Sequence, residues 1–286
     1  MNVPQNPVPD YKEIIRKDWT GAAPLWQKWN HKFVIQTRAA TELVVHGAEL
    51  ALGIKVLDLA SGTGEPALSL AQAVGPQGRV IATDMVPEMI EAARQNAAAM
   101  RLANMEFRIA DAESLPFSDG EFDRVTSRFG IMFFPDIQKA MAEIRRVLKP
   151  GGRVCFVVWA TLEENPFFLV NLAPFQKRVK LPPPPLDAPY IFRFADEVKL
   201  ANVLSSAGFR DVSVKKHHVA FPWPGSAEES WAATRELAAP FKKLIEALSP
   251  EHTDEVIREV LEGLRRFESG GSINLPATVN IAVGVV

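Results

Sequence analysis

Apolar and polar positions along the chain follow two alternating patterns between residues 55 and 160. Short apolar runs recur there, and longer stretches with helical spacing separate them. This alternation is typical of parallel strands that are covered by helices on both faces of a sheet. The apolar runs predict strands at 55–59, 79–83, 105–109, 122–127 and 153–159. The intervening stretches predict helices at 65–74, 87–100 and 137–148.

The flanking regions have a different pattern. Residues 11–52 have helical spacing, and Trp19, Trp26, Trp29 and Phe33 make them rich in aromatic side chains. Prolines run in a row at 182–185, so 161–195 is interpreted as a stiff linker. The remaining segments predict a helix at 196–207, a strand at 212–221, mostly helix over 226–267 and a last strand at 277–286. We expect a helical cover at 1–52 and one α/β domain at 53–286, with 226–270 as a helical insertion before the last strand.

The turn after the first predicted strand is rich in glycine, and residues 60–66 read ASGTGEP. Glycines at such a turn let the backbone bend tightly and approach a ligand closely. The spacing also matches a dinucleotide-binding fingerprint, and a tight connection without any ligand is a further alternative. Charge distinguishes between these ligands. Glu65 and Pro66 stand where a pyrophosphate would accept hydrogen bonds from free backbone N–H groups, and neither residue favours such an anion. Asp58 adds negative charge, so the loop favours a cationic ligand without phosphate.

Two further acidic residues follow the next two strands. Asp84 ends the second strand, where a carboxylate can accept hydrogen bonds from ribose hydroxyls; its alternative role is to cap the helix at Pro87. Asp111 follows the third strand and could accept from an adenine amino group, or be an ordinary loop aspartate. Because ligands of open α/β sheets bind at the carboxyl ends of the strands, we expect these carboxylates at one edge.

Four segments in this order resemble those of class I S-adenosylmethionine-dependent methyltransferases. They are 56–64, 80–85, 111–117 with 122–125, and 146–152, and the ubiquinone and menaquinone C-methyltransferases are the most similar subgroup. The resemblance implies a doubly wound, Rossmann-like α/β fold with seven mostly parallel strands, the last antiparallel, and a helical cover. It implies S-adenosyl-L-methionine as the cofactor. The stretch 226–270 departs from the minimal members of the family, so no particular acceptor is implied.

The same resemblance distributes the cofactor over the strand ends. The glycine loop would hold the methionine part, the loop after the second strand the ribose and adenine, and the loop after the third strand the adenine edge. The reactive methyl group and the acceptor would meet after the fourth strand, and the cover would close the site. The residues implied in cofactor binding are Trp29, Asp58, Ala60, Gly62, Gly64, Asp84, Met85, Asp111, Ala112, Ser127 and Arg128.

Methyl transfer from a sulfonium needs positioning and exclusion of water more than it needs a nucleophile or a metal. A general base helps when the acceptor is a hydroxyl or an acidic carbon. His31, in the aromatic cover, and Arg128, after the fourth strand, are the predicted catalytic residues. Arg128 could contact the cofactor, orient an anionic substrate or form a salt bridge within the cover. The density of aromatic residues suggests an apolar acceptor pocket, for which core packing is the alternative.

Composition limits the remaining classes. A net charge of −2 predicts no nucleic-acid partner. The single cysteine, Cys155, excludes an intrachain disulfide and a multi-cysteine metal site, and argues against arsenic as the acceptor. Residues 1–10 lack the apolar core of a signal peptide, and no apolar run is long enough to span a membrane, so we expect a cytoplasmic protein. The apolar stripe from Leu237 onward would form either a lid face or a homodimer surface.

These patterns predict a methyltransferase that acts on oxygen, nitrogen or carbon of a small, largely apolar molecule. Two alternatives stay open. The chain could bind the cofactor without catalysis, or it could be an NAD-dependent oxidoreductase, which Glu65 and Pro66 disfavour.

Overall fold

A computed structural model describes residues 10–180, 188–237 and 244–286. Its centre is a single mixed sheet in the order β3-β2-β1-β4-β5-β8-β6, with the short β7 paired to β8. Strands β1 to β5 are parallel, and β8 is antiparallel to both β5 and β6. The strands are β1 Lys55–Leu59, β2 Arg79–Asp84, β3 Met105–Ile109, β4 Phe122–Arg128, β5 Leu148–Trp159, β6 Arg210–Pro224, β7 Glu268–Ser269 and β8 Ser272–Val285. The predicted doubly wound fold is confirmed.

Helices cover both faces of this sheet. Several begin with residues that favour a helix start: Pro87 opens α4, and Asp136 and Asp196 accept hydrogen bonds from the first turns of α5 and α7. The helices are α1 Tyr11–Gln36, α2 Arg38–Gly47, α3 Ala67–Ala73, α4 Pro87–Ala99, α5 Ile137–Val147, α6 Pro166–Gln176, α7 Glu197–Ser206, α8 Ala227–Leu237 and α9 Pro250–Arg265. None of the helices in the described ranges has the length and apolarity that crossing a bilayer requires.

The predicted linker at 161–195 is wrong over α6. This helix packs on α9, and its Phe175 is fully buried. Its sequence is apolar nearly all round, so it has no amphipathic stripe from which periodicity could predict a helix. The proline run at 182–185 lies outside the described residues.

Strands β6 and β8 are longer than predicted, and they form a ribbon that continues past the edge of the sheet. The pairing of β5 with β8 ends at Trp159 and Val279, whereas β6 and β8 stay paired as far as Pro224 and Ser272. Prolines made these segments look like strand ends, but a proline is tolerated on a strand that lacks a neighbour on one side. Helices α8 and α9 lie at the tip of the ribbon, where a second apolar core contains Phe175, Trp223 and Trp231.

Candidate functional site

Asp58 lies near the end of β1 and is fully buried. Thr126 Oγ1, on the neighbouring β4, donates a hydrogen bond of 2.6 Å to Asp58 Oδ1. The other oxygen, Oδ2, is buried and has no hydrogen-bond partner among the described residues. Burial raises the pKa of Asp58 to about 7. Such a carboxyl gains from a nearby cation, which would favour its ionised form.

The buried state of Asp58 predicts a pH-dependent cost. Its pKa is 3.8 before burial and about 7 in the fold, so its contribution to stability is present at low pH and is lost as the pH rises through 7. Relative to Asp58→Asn, which does not titrate, the wild type should lose roughly 2 kcal/mol of unfolding free energy between pH 5 and pH 8. Urea unfolding of both proteins across this range measures the difference. The exposed Asp18→Asn is the control, and a difference that stays constant with pH would contradict the assignment.

The glycine loop has three residues with positive φ: Ala60 at +52°, Gly62 at +54° and Gly64 at +123°. The two glycines serve different needs. A Cβ on Gly62 would meet nothing within 4 Å, so this side of the loop is open to a ligand. A Cβ on Gly64 would lie 2.9 Å from Leu68 Cδ1, so Gly64 lets α3 pack closely against the turn.

Asp84 ties the glycine loop to the end of β2. Its Oδ2 accepts the N–H of Gly62 at 3.0 Å, and its Oδ1 accepts the N–H of Val86 at 3.0 Å. Burial raises the pKa of Asp84 to about 6. The alternative role as a cap for α4 is wrong, because the N-cap residue is Val86 and no side chain caps that helix. Each carboxylate oxygen keeps lone pairs that can accept from ribose hydroxyls.

Helix α1 lies across the loops that follow β2 and β3. Lys12 Nζ is 2.7 Å from Asp111 Oδ2 and 2.5 Å from Glu113 Oε2. Trp19 and Trp26 of this helix pack, together with Met85, against a buried cluster of Ala23, Val86 and Met89. Between α1 and these loops is a cavity of about 370 Å³, lined by Asp10, Lys12, Arg16, Met85, Ile109 and Asp111. Ala112 is half-buried in the adjoining turn, which an Asp111–Ser114 bridge closes.

Ser127 and Arg128 end β4, beside the glycine loop. Ser127 Oγ donates a hydrogen bond of 2.9 Å to the carbonyl of Leu59. Arg128 Nη1 donates to Thr37 Oγ1 at 2.8 Å and to Thr41 Oγ1 at 2.5 Å. Burial lowers the pKa of the guanidinium, while Glu65 and Asp58 act in the opposite direction. Arg128 therefore faces both the cover and the acidic loop, and its contacts with the cover are to hydroxyl groups.

An aromatic wall begins directly after Arg128. The ring of Phe129 stacks on Trp159 with centroids 4.1 Å apart and planes 4° apart. Trp159 in turn contacts the edges of Phe168 and Phe221. Phe129 and Phe168 are only half-buried, so the wall combines core packing with apolar surface at the carboxyl edge of the sheet.

Two residues predicted for the site lie away from this edge. Trp29 Nε1 donates a 2.6 Å hydrogen bond to Glu236 of α8, and its ring packs on Trp223. His31 is exposed and faces the charge of Glu229. The side of α1 that docks on the loops carries Asn30 instead, which accepts a 2.7 Å hydrogen bond from Thr63 Oγ1. The choice of docking face follows from tertiary packing, which the helical spacing alone does not determine.

Several residues of the site were not predicted. Thr37 and Thr41 hold Arg128, and Lys12 bridges the two carboxylates after β3. The two threonines stand four residues apart, a spacing that places them on one helix face and that could have suggested a shared partner. Nothing in the sequence around Lys12 distinguishes it from other charged residues of α1.

A family described as a methyltransferase domain matches residues 51–181. The chain is 42% identical over 123 residues to demethylmenaquinone methyltransferase of Thermus thermophilus, which covers 43% of this chain and 55% of that protein. It is 35% identical over 210 residues to arsenite methyltransferase of Halobacterium salinarum, which covers 72% of this chain and 49% of that protein. The chain spans about half the length of these curated relatives.

The fold is also similar to that of a phosphoethanolamine N-methyltransferase of Haemonchus contortus, solved with S-adenosylhomocysteine. The TM-score is 0.57 at 16% identity, covering 100% of this chain and 62% of that one. Residues 51–181 of the chain therefore match a methyltransferase domain, and part of the chain is similar to a demethylmenaquinone methyltransferase, of which it covers 55%.

Proposed function

We propose that the protein transfers the methyl group of S-adenosylmethionine to a small, largely apolar molecule by direct displacement. The observation that carries the proposal is the open side of Gly62, which lies between Asp58 and Asp84 at the carboxyl ends of β1 and β2. Two carboxyls with raised pKa beside a glycine turn suit a ligand with cationic groups and ribose hydroxyls. They suit a pyrophosphate poorly, because Glu65 and Pro66 precede α3.

Each residue of the site then has a defined task. Asp84 accepts hydrogen bonds from the ribose, Asp58 provides negative charge near the methionine part, and Asp111 meets the adenine edge. When bound, the cofactor supplies a methyl group on a sulfonium. The chain positions the acceptor and excludes water, for which the aromatic wall and α1 are placed at the same edge. The exposed position of His31 gives no support for a role as general base.

The acceptor that the wall favours is organic rather than a metalloid. Arsenite is named for the Halobacterium relative, but thiolates are the ligands that soft metalloids prefer. The only cysteine of the chain, Cys155, is buried in β5, and burial raises its pKa to about 12. A thiol in that state is neither ionised nor accessible. The rings of Phe129, Trp159 and Phe168 provide an apolar surface instead.

We propose that the helices at the tip of the ribbon act as a lid by holding α1 over the cofactor loops, rather than as a dimer surface. Helix α8 is bound to α1 by Glu236, which accepts from Trp29 Nε1 at 2.6 Å and pairs with Lys28 at 2.8 Å. Lys32 and Glu229 form a second pair at 2.9 Å. These contacts connect the insertion to the helix that covers the cofactor loops.

Removal of Glu236 should loosen this lid without unfolding the domain. The pair with Lys28 is partly exposed, so Glu236→Ala should cost less than about 1 kcal/mol of unfolding free energy. Amide hydrogen exchange in α8 and in the middle of α1 should nevertheless accelerate several-fold. The exposed Glu262→Ala, on α9, is the control. Unchanged hydrogen exchange in both helices would contradict the proposal that Glu236 holds the lid to α1.

The proposed activity is tested by incubating the purified protein with S-adenosylmethionine labelled in its methyl group. Acceptors are offered in three chemical classes: phenols, aromatic amines and compounds with an acidic carbon. We expect label to appear in an aromatic member of one class, and to disappear when Asp84 is replaced by alanine. Binding of the cofactor without transfer to any class would favour the alternative of a cofactor-binding protein without catalysis. Tight NADH binding with no binding of S-adenosylmethionine would favour the oxidoreductase.

A further inference from the structure

One edge of the Arg128 guanidinium has no hydrogen-bond partner among the described residues. Both of the hydrogen bonds that it donates within the described chain leave from Nη1, to Thr37 and Thr41. Its Nε is buried and has no hydrogen-bond partner among the described residues. A buried donor that stays unpaired costs about 1–3 kcal/mol, and more when it is charged. An arrangement that holds one nitrogen firmly and leaves the opposite edge unpaired therefore indicates a ligand for that edge.

A second buried donor belongs to the residue next to Thr37, one of the two threonines that hold Arg128. Gln36 precedes Thr37 and is buried, and its Nε2 has no hydrogen-bond partner among the described residues. Thr37 is the single residue between α1 and α2, and it accepts a hydrogen bond from Arg128. The amide nitrogen of glutamine and the guanidinium nitrogens of arginine are donors, so a group that pairs with either of them must accept hydrogen bonds.

The charges around Arg128 narrow the class of that acceptor. Asp58 and Glu65 act electrostatically on Arg128, but their carboxylates accept hydrogen bonds from other groups, Asp58 from Thr126 and Glu65 from Ser69. One guanidinium near two carboxyl groups provides no excess of positive charge for a dianion such as a phosphate. A monoanion is better suited, and the Nε–Nη2 edge of arginine matches the two oxygens of a carboxylate.

We infer that Arg128, positioned by Thr37 and Thr41, forms a carboxylate-binding subsite at the end of β4. The inference rests on the proposed function, because both ligands that bring a carboxylate to this edge belong to that site. One is the methionine end of the cofactor, and the other is an acidic acceptor. In this subsite the bidentate edge receives the carboxylate, and the two threonine hydroxyls fix the plane of the guanidinium.

The first arm of the test compares the product of the cofactor with an analogue that lacks one group. S-adenosylhomocysteine carries the carboxylate, and 5′-deoxy-5′-(3-aminopropylthio)adenosine keeps the amine and lacks it. If Arg128 holds the cofactor, the wild type should bind S-adenosylhomocysteine at least 10-fold more tightly, and Arg128→Gln should remove that preference. Thr41→Val should reduce the preference in part, because it leaves the charge but releases one constraint on the guanidinium. Arg124→Gln, on the same strand, is the matched control, since Arg124 bonds to the carbonyls of Ala48 and Glu49.

The second arm uses protein saturated with S-adenosylhomocysteine, titrated with benzoate and with benzamide. If the subsite serves the acceptor, benzoate should bind more tightly than benzamide in the wild type and in Arg124→Gln, but not in Arg128→Gln. The inference is overturned if the wild type shows neither preference. It is also overturned if Arg128→Gln alters neither preference while the variant remains folded by circular dichroism. A wild type that binds neither nucleoside product would instead overturn the proposed function, so the two failures are distinguishable.

Discussion

Replacing Asp84 with alanine is expected to weaken binding of S-adenosylhomocysteine roughly 10- to 100-fold, or about 1–3 kcal/mol. The substitution removes the acceptor for the ribose hydroxyls. It also frees the N–H groups of Gly62 and Val86, which Asp84 now holds at 3.0 Å, so the glycine loop loses its tie to β2. Isothermal titration of both proteins at pH 8, above the pKa of about 6 that burial gives Asp84, measures the loss.

Two comparisons make this expectation specific. Asp84→Asn keeps one oxygen acceptor and removes the charge, so its affinity should lie between those of the wild type and the alanine variant. The exposed Asp18→Ala should bind like the wild type. Wild-type affinity should also fall as the pH drops through 6, because a protonated Asp84 is a poorer acceptor. Equal affinity in the wild type and Asp84→Ala would remove Asp84 from the cofactor site.

Alanine at Gly64 is expected to lower the unfolding free energy by about 2–4 kcal/mol. A φ of +123° lies in a region that is essentially restricted to glycine, where another residue costs about 1–3 kcal/mol. The new Cβ would also lie 2.9 Å from Leu68 Cδ1, at the first turn of a helix whose inner face is buried. Urea unfolding monitored by circular dichroism measures the change.

Gly62→Ala is the matched control in the same loop. Its φ of +54° is left-handed helical, which costs an alanine only about 1–2 kcal/mol, and its Cβ would meet nothing within 4 Å. We expect Gly62→Ala to be the more stable variant and yet to bind S-adenosylhomocysteine more weakly than the wild type, because its Cβ projects from the open side. A greater loss of stability at Gly62 than at Gly64 would contradict the division of roles.

The chemistry at the strand ends could be predicted because it follows from local rules. Asp58, Gly62 and Asp84 come together because parallel strands present their carboxyl ends at one edge. The glycine turn is specified by a few adjacent residues, and the alternation of strands and helices predicts the parallel sheet around it. Residues that are close together in the sequence determine these features, so a single sequence is enough to predict them.

The cover could not be predicted in the same way. Trp29 and His31 lie on a helix whose aromatic density was clear, but the face that docks on the loops depends on the packing of Trp19, Trp26 and Asn30 against distant segments. The second core depends likewise on α6, whose uniform apolarity conceals its helical period. The tie from Lys12 to the turn after β3 joins residues about a hundred positions apart, and nothing local indicates it.

A crystal structure of the protein grown with S-adenosylhomocysteine is the most direct test of the central claim that the glycine loop, Asp58 and Asp84 form the cofactor site. We expect the ribose hydroxyls on the Asp84 carboxylate, the methionine part along residues 60–64 and the adenine between Met85 and the turn that contains Asp111. A nucleoside bound elsewhere, or bound here with Asp84 directed away from the ribose, would contradict it.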